Sequence, residues 1–416
     1  MPSMCDPVAP REMMESDGAW LADPHHQAWL AEDAERQLRF FLGSLKGRGR
    51  FAVLDHEGRA IPGPQELHTT TRLIHSYSLG LSFGFAEGAD MIDAGMGFLW
   101  REHRDAKRGG FFAAVRSGVT NGTKMAYGHM FVLLAAASAK RAGHPDADRL
   151  LGDVAEVLER RFWDEGAGLF VEDWSEDWLH LSKYRGMNAN MHATEAHLAA
   201  YEATGERAYL ERAGRIIDVF IRRLAPEYNW RIPEHYTEEW TVDRAYEGDP
   251  MFRPRGTTPG HSVEWARLVL HYWDLRGRVD EDLPEAARIL VEEALRLAWR
   301  REGGFAYTLD FDGQVDRKAR YWWPVCEGIG AISAILKTGT FARGEEWYRR
   351  LWAFAEAHLV DRKRGGWYPE LDETGRPADG QFKGKPDLYH ALQADLIPLT
   401  QGVSRLQDGL EAWATA

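Results

Sequence analysis

The 416-residue sequence predicts an all-α protein folded as an (α/α)6 barrel, a closed toroid of six helical repeats with short β-hairpins in the loops on one face. Three observations lead there: a Gly-aromatic signature recurring about every sixty residues, an amphipathic helical pattern before each copy, and a more apolar helical pattern after it.

The signature reads GRFAVLDHEGR around Phe51, GGFFAAV around Phe111, GLFVEDW around Phe170, YNWRIPEHY around Trp230, GGFAYTLDFDG around Phe305 and GGWYPELDETG around Trp367. Successive aromatic positions lie 60, 59, 60, 75 and 62 residues apart, so six copies nearly fill the chain. Alternating apolar residues with Gly or Asp-Gly punctuation mark each copy as a short hairpin or extended loop. The segments that precede them, such as ADRLLGDVAEVLERRFWD and GEEWYRRLWAFAEAHLVD, place apolar residues at i, i+3, i+4 and i+7 and so keep one wet face. The segments that follow, such as KMAYGHMFVLLAAASAK and YWWPVCEGIGAISAIL, are apolar on most sides and rich in Ala and Gly, as buried helices are. Two helices per repeat, taken six times, give an inner ring wrapped by an outer one. An open α-solenoid is the competing architecture. Length alone suggests two or three domains, whereas the continuous repeat makes residues 1–416 one domain with a flexible stretch over 1–20. The 75-residue spacing marks an insertion at 235–258, expected to lie over one face as a lid.

Composition narrows the function. The 51 basic and 64 acidic side chains give a net charge of −13, which argues against nucleic acid as a partner because phosphate binding needs a positive field. No apolar run is long enough for a membrane span. The two cysteines, Cys5 and Cys326, lie too far apart in sequence to suggest a disulfide framework and read as free thiols, which places the chain in the cytoplasm. Aromatic residues make up 12% of the chain, many beside Gly, Arg, Asp or His. Flat apolar faces next to polar groups suit sugar rings, and they equally suit a packed core.

The first turns of the six apolar helices carry Arg72, Tyr127 with His129, His192 with Glu195, His261 with Glu264, Trp323 with Glu327, and His390. In a closed ring these turns open on one end of the barrel, so residues hundreds apart in sequence meet around one pocket. His and Glu at i, i+3 share a helical face and can touch. The Glu then fixes the imidazole tautomer or binds a sugar hydroxyl. His-x-x-Glu pairs can also hold a di-iron centre, but that site needs a four-helix bundle with two further Glu ligands. HEXXH, Cys-x-x-Cys and Walker patterns are absent from the sequence.

The set TRLIHSYSLG, KMAYGHMF, NANMHATEAHLAAYEATG, TPGHSVEWARL, RYWWPVCEGIGAI and KGKPDLYHALQA resembles, in this order, the N-acylglucosamine 2-epimerase superfamily over residues 35 to 400. The KGKPDLYH run is similar to the aldose–ketose isomerase branch of that family rather than to its disaccharide epimerases. The resemblance implies an (α/α)6 barrel, a monosaccharide substrate and no metal or cofactor. It puts the catalytic arginine on Arg72, the pocket histidines on His192, His261 and His390, and a carboxylate on Glu264. Tyr127 and Asn188 match positions that bind sugar hydroxyls. Trp323 and Glu327 fall where the ring is packed and oriented, and Arg253 and Arg255 are the candidates for a lid arginine.

The implied reaction interconverts an aldose and its ketose, D-mannose and D-fructose foremost, through a cis-enediolate. A base near neutral pKa takes the C2 proton while a fixed cation stabilises the oxygens. His390 is expected to shuttle that proton to C1, with His192 as a second acid/base. His261, supported by Glu264, is expected to protonate the ring oxygen. The other readings are a 2-epimerase of N-acylglucosamine or cellobiose type, a sulfoquinovose isomerase, a glycoside hydrolase using Glu264 and Glu327, and a sugar-binding protein without turnover. A monomer and a homodimer are both compatible with the sequence.

Overall fold

Helices alternate between two concentric rings in the computed structural model, which describes residues 18–339 and 341–416. In chain order they are α1 (Pro24–Leu42), α2 (Leu67–Ser82), α3 (Gly88–Phe98), α4 (Ala126–Arg141), α5 (Ala147–Val157), α6 (Met187–Thr204), α7 (Arg207–Ile217), α8 (Pro259–Leu275), α9 (Asp282–Ala298), α10 (Trp322–Thr338), α11 (Gly344–His358), α12 (Tyr389–Leu399) and α13 (Leu406–Ala414). Even-numbered helices form the inner ring, each packed on the next, and α12 returns against α2. The outer helices pair as α2 with α3, α4 with α5, α6 with α7, α8 with α9 and α10 with α11, while α12 takes α1 from the other end of the chain. Cys5 and most of the expected flexible stretch lie outside the described residues. Its last residue, Trp20, is buried, and its backbone N–H donates to Glu345 Oε1 at 3.1 Å. No helix among the described residues is long and apolar enough to cross a membrane.

Short antiparallel pairings fix where each inner helix starts. Gln65–Glu66 pairs with Ala114–Val115, Lys124–Met125 with Asp173–Trp174, Arg185–Gly186 with His235–Tyr236, and Arg320–Tyr321 with Glu370–Leu371. Thr257 bridges Leu309, and Lys385 bridges Leu54, which closes the circle between last and first repeats. Every inner helix is thus preceded by a strand held by the loop of its neighbour.

Five of the six signature aromatics pair with the residues that end the preceding outer helix: Phe51 with Leu45, Phe111 with Arg104, Phe170 with Trp163, Phe305 with Trp299 and Trp367 with Val360. The fourth departs from the expected hairpin. After α7 the chain continues as a wide π-wound turn over Asp218–Leu224 and one more turn at Ala225–Glu227, so Trp230 falls in a turn with φ +62° and the strand comes only at His235–Tyr236. Similar π turns end α3 and α5, at Leu99–His103 and Leu158–Phe162.

Side chains in and just before the inner helices also hold these loops. The N–H of Phe51 donates to Gln65 Oε1 at 2.9 Å, that of Phe111 to His129 Nε2 at 3.0 Å, and that of Phe170 to Asn190 Oδ1 at 2.8 Å. His129, grouped with Tyr127 in the sequence, therefore points outward into the inter-ring core. Its Nδ1–H donates to the Met125 carbonyl at 2.7 Å.

Several buried histidines share this scaffolding duty. Burial pushes His129 and His103 down to about 4, and His26 and His197 down to about 3, from an ordinary 6.5. Below 6.5 the unfolded chain takes up protons that these folded sites refuse, so stability is complete above that pH and is lost as pH falls toward 4. The expected result is a Tm that drops steeply between pH 6.5 and 4 (the two ends of that range) in calorimetry, with a shallower drop in His129→Gln. A Tm flat across this range would contradict it.

The seam between α1 and α12 is polar. Gln37 Nε2 donates to Asp33 Oδ2 at 3.2 Å and to Asp395 Oδ2, Trp367 Nε1 donates to Asp33 Oδ2 at 3.1 Å, and Arg362 reaches Asp33 Oδ1 at 3.3 Å. Burial and the Asp33 charge raise the Asp395 carboxyl well above its usual range. At the end of the barrel away from the first turns, residues 400–407 cross the ring. Lys337 Nζ donates to the carbonyls of Ile397 (2.6 Å) and Gly402 (3.1 Å), and the Arg405 N–H donates to Glu202 Oε1 at 2.7 Å. Gln407 Nε2 reaches Ser82 Oγ at 3.3 Å.

Candidate active site

The strands described above deliver the first turns of the inner helices to one mouth. Arg72, on α2, is buried. Its Nη1 donates to Asp387 Oδ2 at 2.8 Å, its Nη2 donates to Tyr127 Oη at 2.8 Å, and its plane lies 4.5 Å from the Phe131 ring centre and 4.8 Å from that of Tyr389. Its Nε has no hydrogen-bond partner. Asp387 stands three residues before His390, so one short stretch positions both the cation and a histidine.

His390 Nδ1 lies 2.7 Å from Glu327 Oε1. Burial alone would raise the Glu327 carboxyl, but the Arg267 guanidinium and His390 hold it below the usual range. An anionic Glu327 must accept from Nδ1–H, which leaves the lone pair on Nε2. His192 Nδ1 lies 3.3 Å from Glu195 Oε2 and 3.7 Å from Glu264 Oε1. Burial lowers His192 to about 4, against the pull of Glu195, so it is neutral at neutral pH. Burial and then the charges of Glu327 and Glu195 raise Glu264 well above the carboxylate range, and its Oε1 lacks a hydrogen-bond partner.

Arg267, one turn beyond Glu264 on α8, ties the floor together through Nη2 to Glu195 Oε1 (3.4 Å) and Nε to Glu327 Oε2 (3.2 Å). The Tyr389 hydroxyl also donates to Glu195 Oε2. Trp323 stands between two histidines, its ring 5.1 Å from His261 and 5.9 Å from His390. It fits because Gly260 faces it: a Cβ there would sit 2.4 Å from the indole. Asn188, half-buried, has an unpartnered Oδ1.

The geometry revises four expectations. His261 is not supported by Glu264. Its Nδ1 pairs with Glu234 Oε1 at 2.9 Å, because His261 sits at the mouth beside the loop while Glu264, one turn deeper, turns toward His192. Glu195 is not offered to a sugar, since His192, Arg267 and Tyr389 occupy it. Glu327, expected to pack and orient the ring, is bonded to His390. Arg255 is 58% exposed and paired with Asp316 at 2.6 Å, whereas Arg253 is half-buried, bonded to Asp173 Oδ2 at 2.6 Å and stacked 4.2 Å over Tyr184. Sequence reasoning missed Asp387, Arg267, Tyr389 and Glu234. A lone arginine within the apolar run VEWARLVL was the available signal for Arg267.

His192, Glu195 and Glu264 bring three ligand-type atoms within 4.8 Å of one another. Arg267 spans Glu195 and Glu327, and burial disfavours the charged form of Glu264. This donor set forms an ion-pair network rather than an open coordination site.

A two-ring α barrel with histidines, an arginine and orienting carboxylates at the inner-helix starts defines a class, and the chain belongs to it: the N-acylglucosamine 2-epimerase (GlcNAc 2-epimerase) family, whose profile matches residues 49–394. The D-mannose isomerase of Thermobifida fusca is 40% identical over 397 residues, covering 91% of this chain and 96% of that relative. A crystal structure of D-mannose isomerase superposes with a TM-score of 0.85 at 30% identity, over 92% of this chain and 99% of the other. Cellobiose 2-epimerase from Spirochaeta thermophila, 24% identical, shares the fold with a TM-score of 0.80 over 92% and 96% of the two chains.

Proposed function

We propose that the protein is an aldose–ketose isomerase that interconverts D-mannose and D-fructose by proton transfer between C2 and C1. One observation carries this reading: His390, with Nε2 free to act as a base, and Arg72, fixed through Asp387 and Tyr127, are held by the same short segment. The base and the oxyanion-stabilising cation are then placed together before substrate arrives. The similarity to D-mannose isomerases supports the choice of sugar.

His390 takes the C2 proton and returns it to C1 of the cis-enediolate, while Arg72 stabilises the negative oxygens. His261 opens the ring by protonating the ring oxygen, with the Glu234 carboxylate stabilising its positive form. His192 stands as a second acid/base. Tyr127, Asn188 and Trp323 hold the sugar, and residues 235–258 close over it with Arg253. Arg72, Arg267, Arg253 and Arg255 are each paired with a carboxylate. None of the four is spare for a C6 phosphate or sulfonate, which favours an uncharged sugar over sulfoquinovose. The chain acts in the cytoplasm, as a monomer or a homodimer, in this reading.

The test is incubation of purified protein with D-mannose in deuterated buffer containing EDTA, followed by NMR. Fructose formation despite the chelator is expected. Epimerisation of N-acetylglucosamine or cellobiose with mannose untouched would replace the reading with the epimerase one, and release of a reducing sugar from a glycoside would replace it with a hydrolase.

A further inference from the structure

Beneath the ion-pair floor lies a second chamber of about 70 Å³, bounded above by Glu195 and Arg267 and below by the crossing segment at Gly402 and Gln407. Its lining passes from buried side chains at the floor to the exposed Gly402, so it leads from the active centre to the surface at the closed end. Two buried polar atoms on its walls have no protein partner, His75 Nε2 and Gln393 Nε2, on residues only 7% and 4% exposed. The tautomer of His75 is fixed by its neighbour. Ser138 Oγ donates to the Leu134 carbonyl at 2.8 Å, so it accepts from His75 Nδ1–H at 2.7 Å, and Nε2 is left as an acceptor. The chamber therefore presents one unmet acceptor and one unmet donor, each costly to bury dry. A volume of this size takes about five waters, too few atoms for a hexose.

We propose that this chamber is a water port, through which a proton on the His192–Glu195 pair exchanges with solvent on the side remote from the sugar. Water donates to His75 Nε2, accepts from Gln393 Nε2 and touches Glu195. When His192 has taken a proton on Nε2, its Nδ1–H bond breaks as an O–H bond forms on Glu195, whose proton passes to chamber water and leaves a neutral imidazole; the reverse transfer restores the imidazolium. The sugar mouth can then stay shut while His192 is recharged. The isotope part of this inference rests on the proposed isomerase reading; the hydration part does not.

The experiment uses the full chain. A crystal structure fine enough to show solvent, with and without xenon pressure, should reveal waters on His75 Nε2 and Gln393 Nε2 and no xenon; a dry or xenon-filled chamber overturns the port. Ala199→Leu, which fills the chamber from α6 one turn beyond Glu195, should keep kcat on mannose near the parent value. The C2 epimer that His192 forms as a side product, recovered from D2O, should carry about threefold less deuterium per turnover. Equal capture in the folded variant overturns the proposal, as does a parent protein that captures none. Gln393→Leu gives the same comparison should Ala199→Leu fail to fold. If mannose is not turned over at all, the isomerase reading falls and the crystallographic arm alone decides the port.

Discussion

Replacing His390 with alanine should lower kcat for mannose-to-fructose conversion about 10²–10⁴-fold, the range that general-base catalysis contributes. The side chain is buried beside Glu327, and its Nε2 is the atom left with a lone pair. Glu327→Gln should cost less, because an amide keeps the shape but can no longer enforce the Nδ1–H tautomer or stabilise the imidazolium. The discriminating measurement is the pre-steady-state rate of C2 proton loss with deuterated mannose. A folded His390→Ala that retains parental turnover would remove His390 from the reaction and transfer the base to His192.

Arg72→Lys should reduce kcat about 10²–10³-fold, the usual cost of losing a fixed donor to a developing oxyanion. Lysine keeps the charge and three donors, but on a single nitrogen that lacks the planar fork bonding Asp387 and Tyr127. Arg72→Ala removes the charge as well, and Asp387 is then a buried carboxylate without its partner. The fold should lose about 3–5 kcal/mol in urea denaturation. Asp387→Asn in that background should restore stability without restoring turnover. Restored turnover would mean that Arg72 only balances Asp387.

The ring was legible in the sequence because its repeat is carried by residues with one structural duty each. Phe51, Phe111, Phe170, Phe305 and Trp367 all end up paired to the close of an outer helix. Trp230 carried the same pattern yet not the same role, since whether a helix overruns by two turns depends on packing that a local pattern does not contain. The pocket residues in the first turns were legible for a related reason: polar side chains on an otherwise apolar helix need a common destination. Their partners were not. Glu234 lies inside a stretch that read as a hairpin, and Asp387 precedes its helix. Arg267 sits a turn beyond the region where polar residues converge. Each is defined by a contact across the barrel, 27 residues away for Glu234 and His261 and 315 for Asp387 and Arg72.

Ring closure has a consequence for biosynthesis. The pairings Lys385 to Leu54 and Asp395 through Gln37 to Asp33 join the two ends of the chain, and contacts of such sequence separation form late in folding. Until its last inner helix has left the ribosome, a nascent chain carries Arg72 without Asp387 and Asp33 without its cover. The active centre straddles that seam, with its cation on the first inner helix and its base on the last. Catalytic competence should therefore appear in a single step once the last inner helix has emerged, which also exposes the unclosed intermediate to proteolysis in cells where synthesis stalls before residue 390.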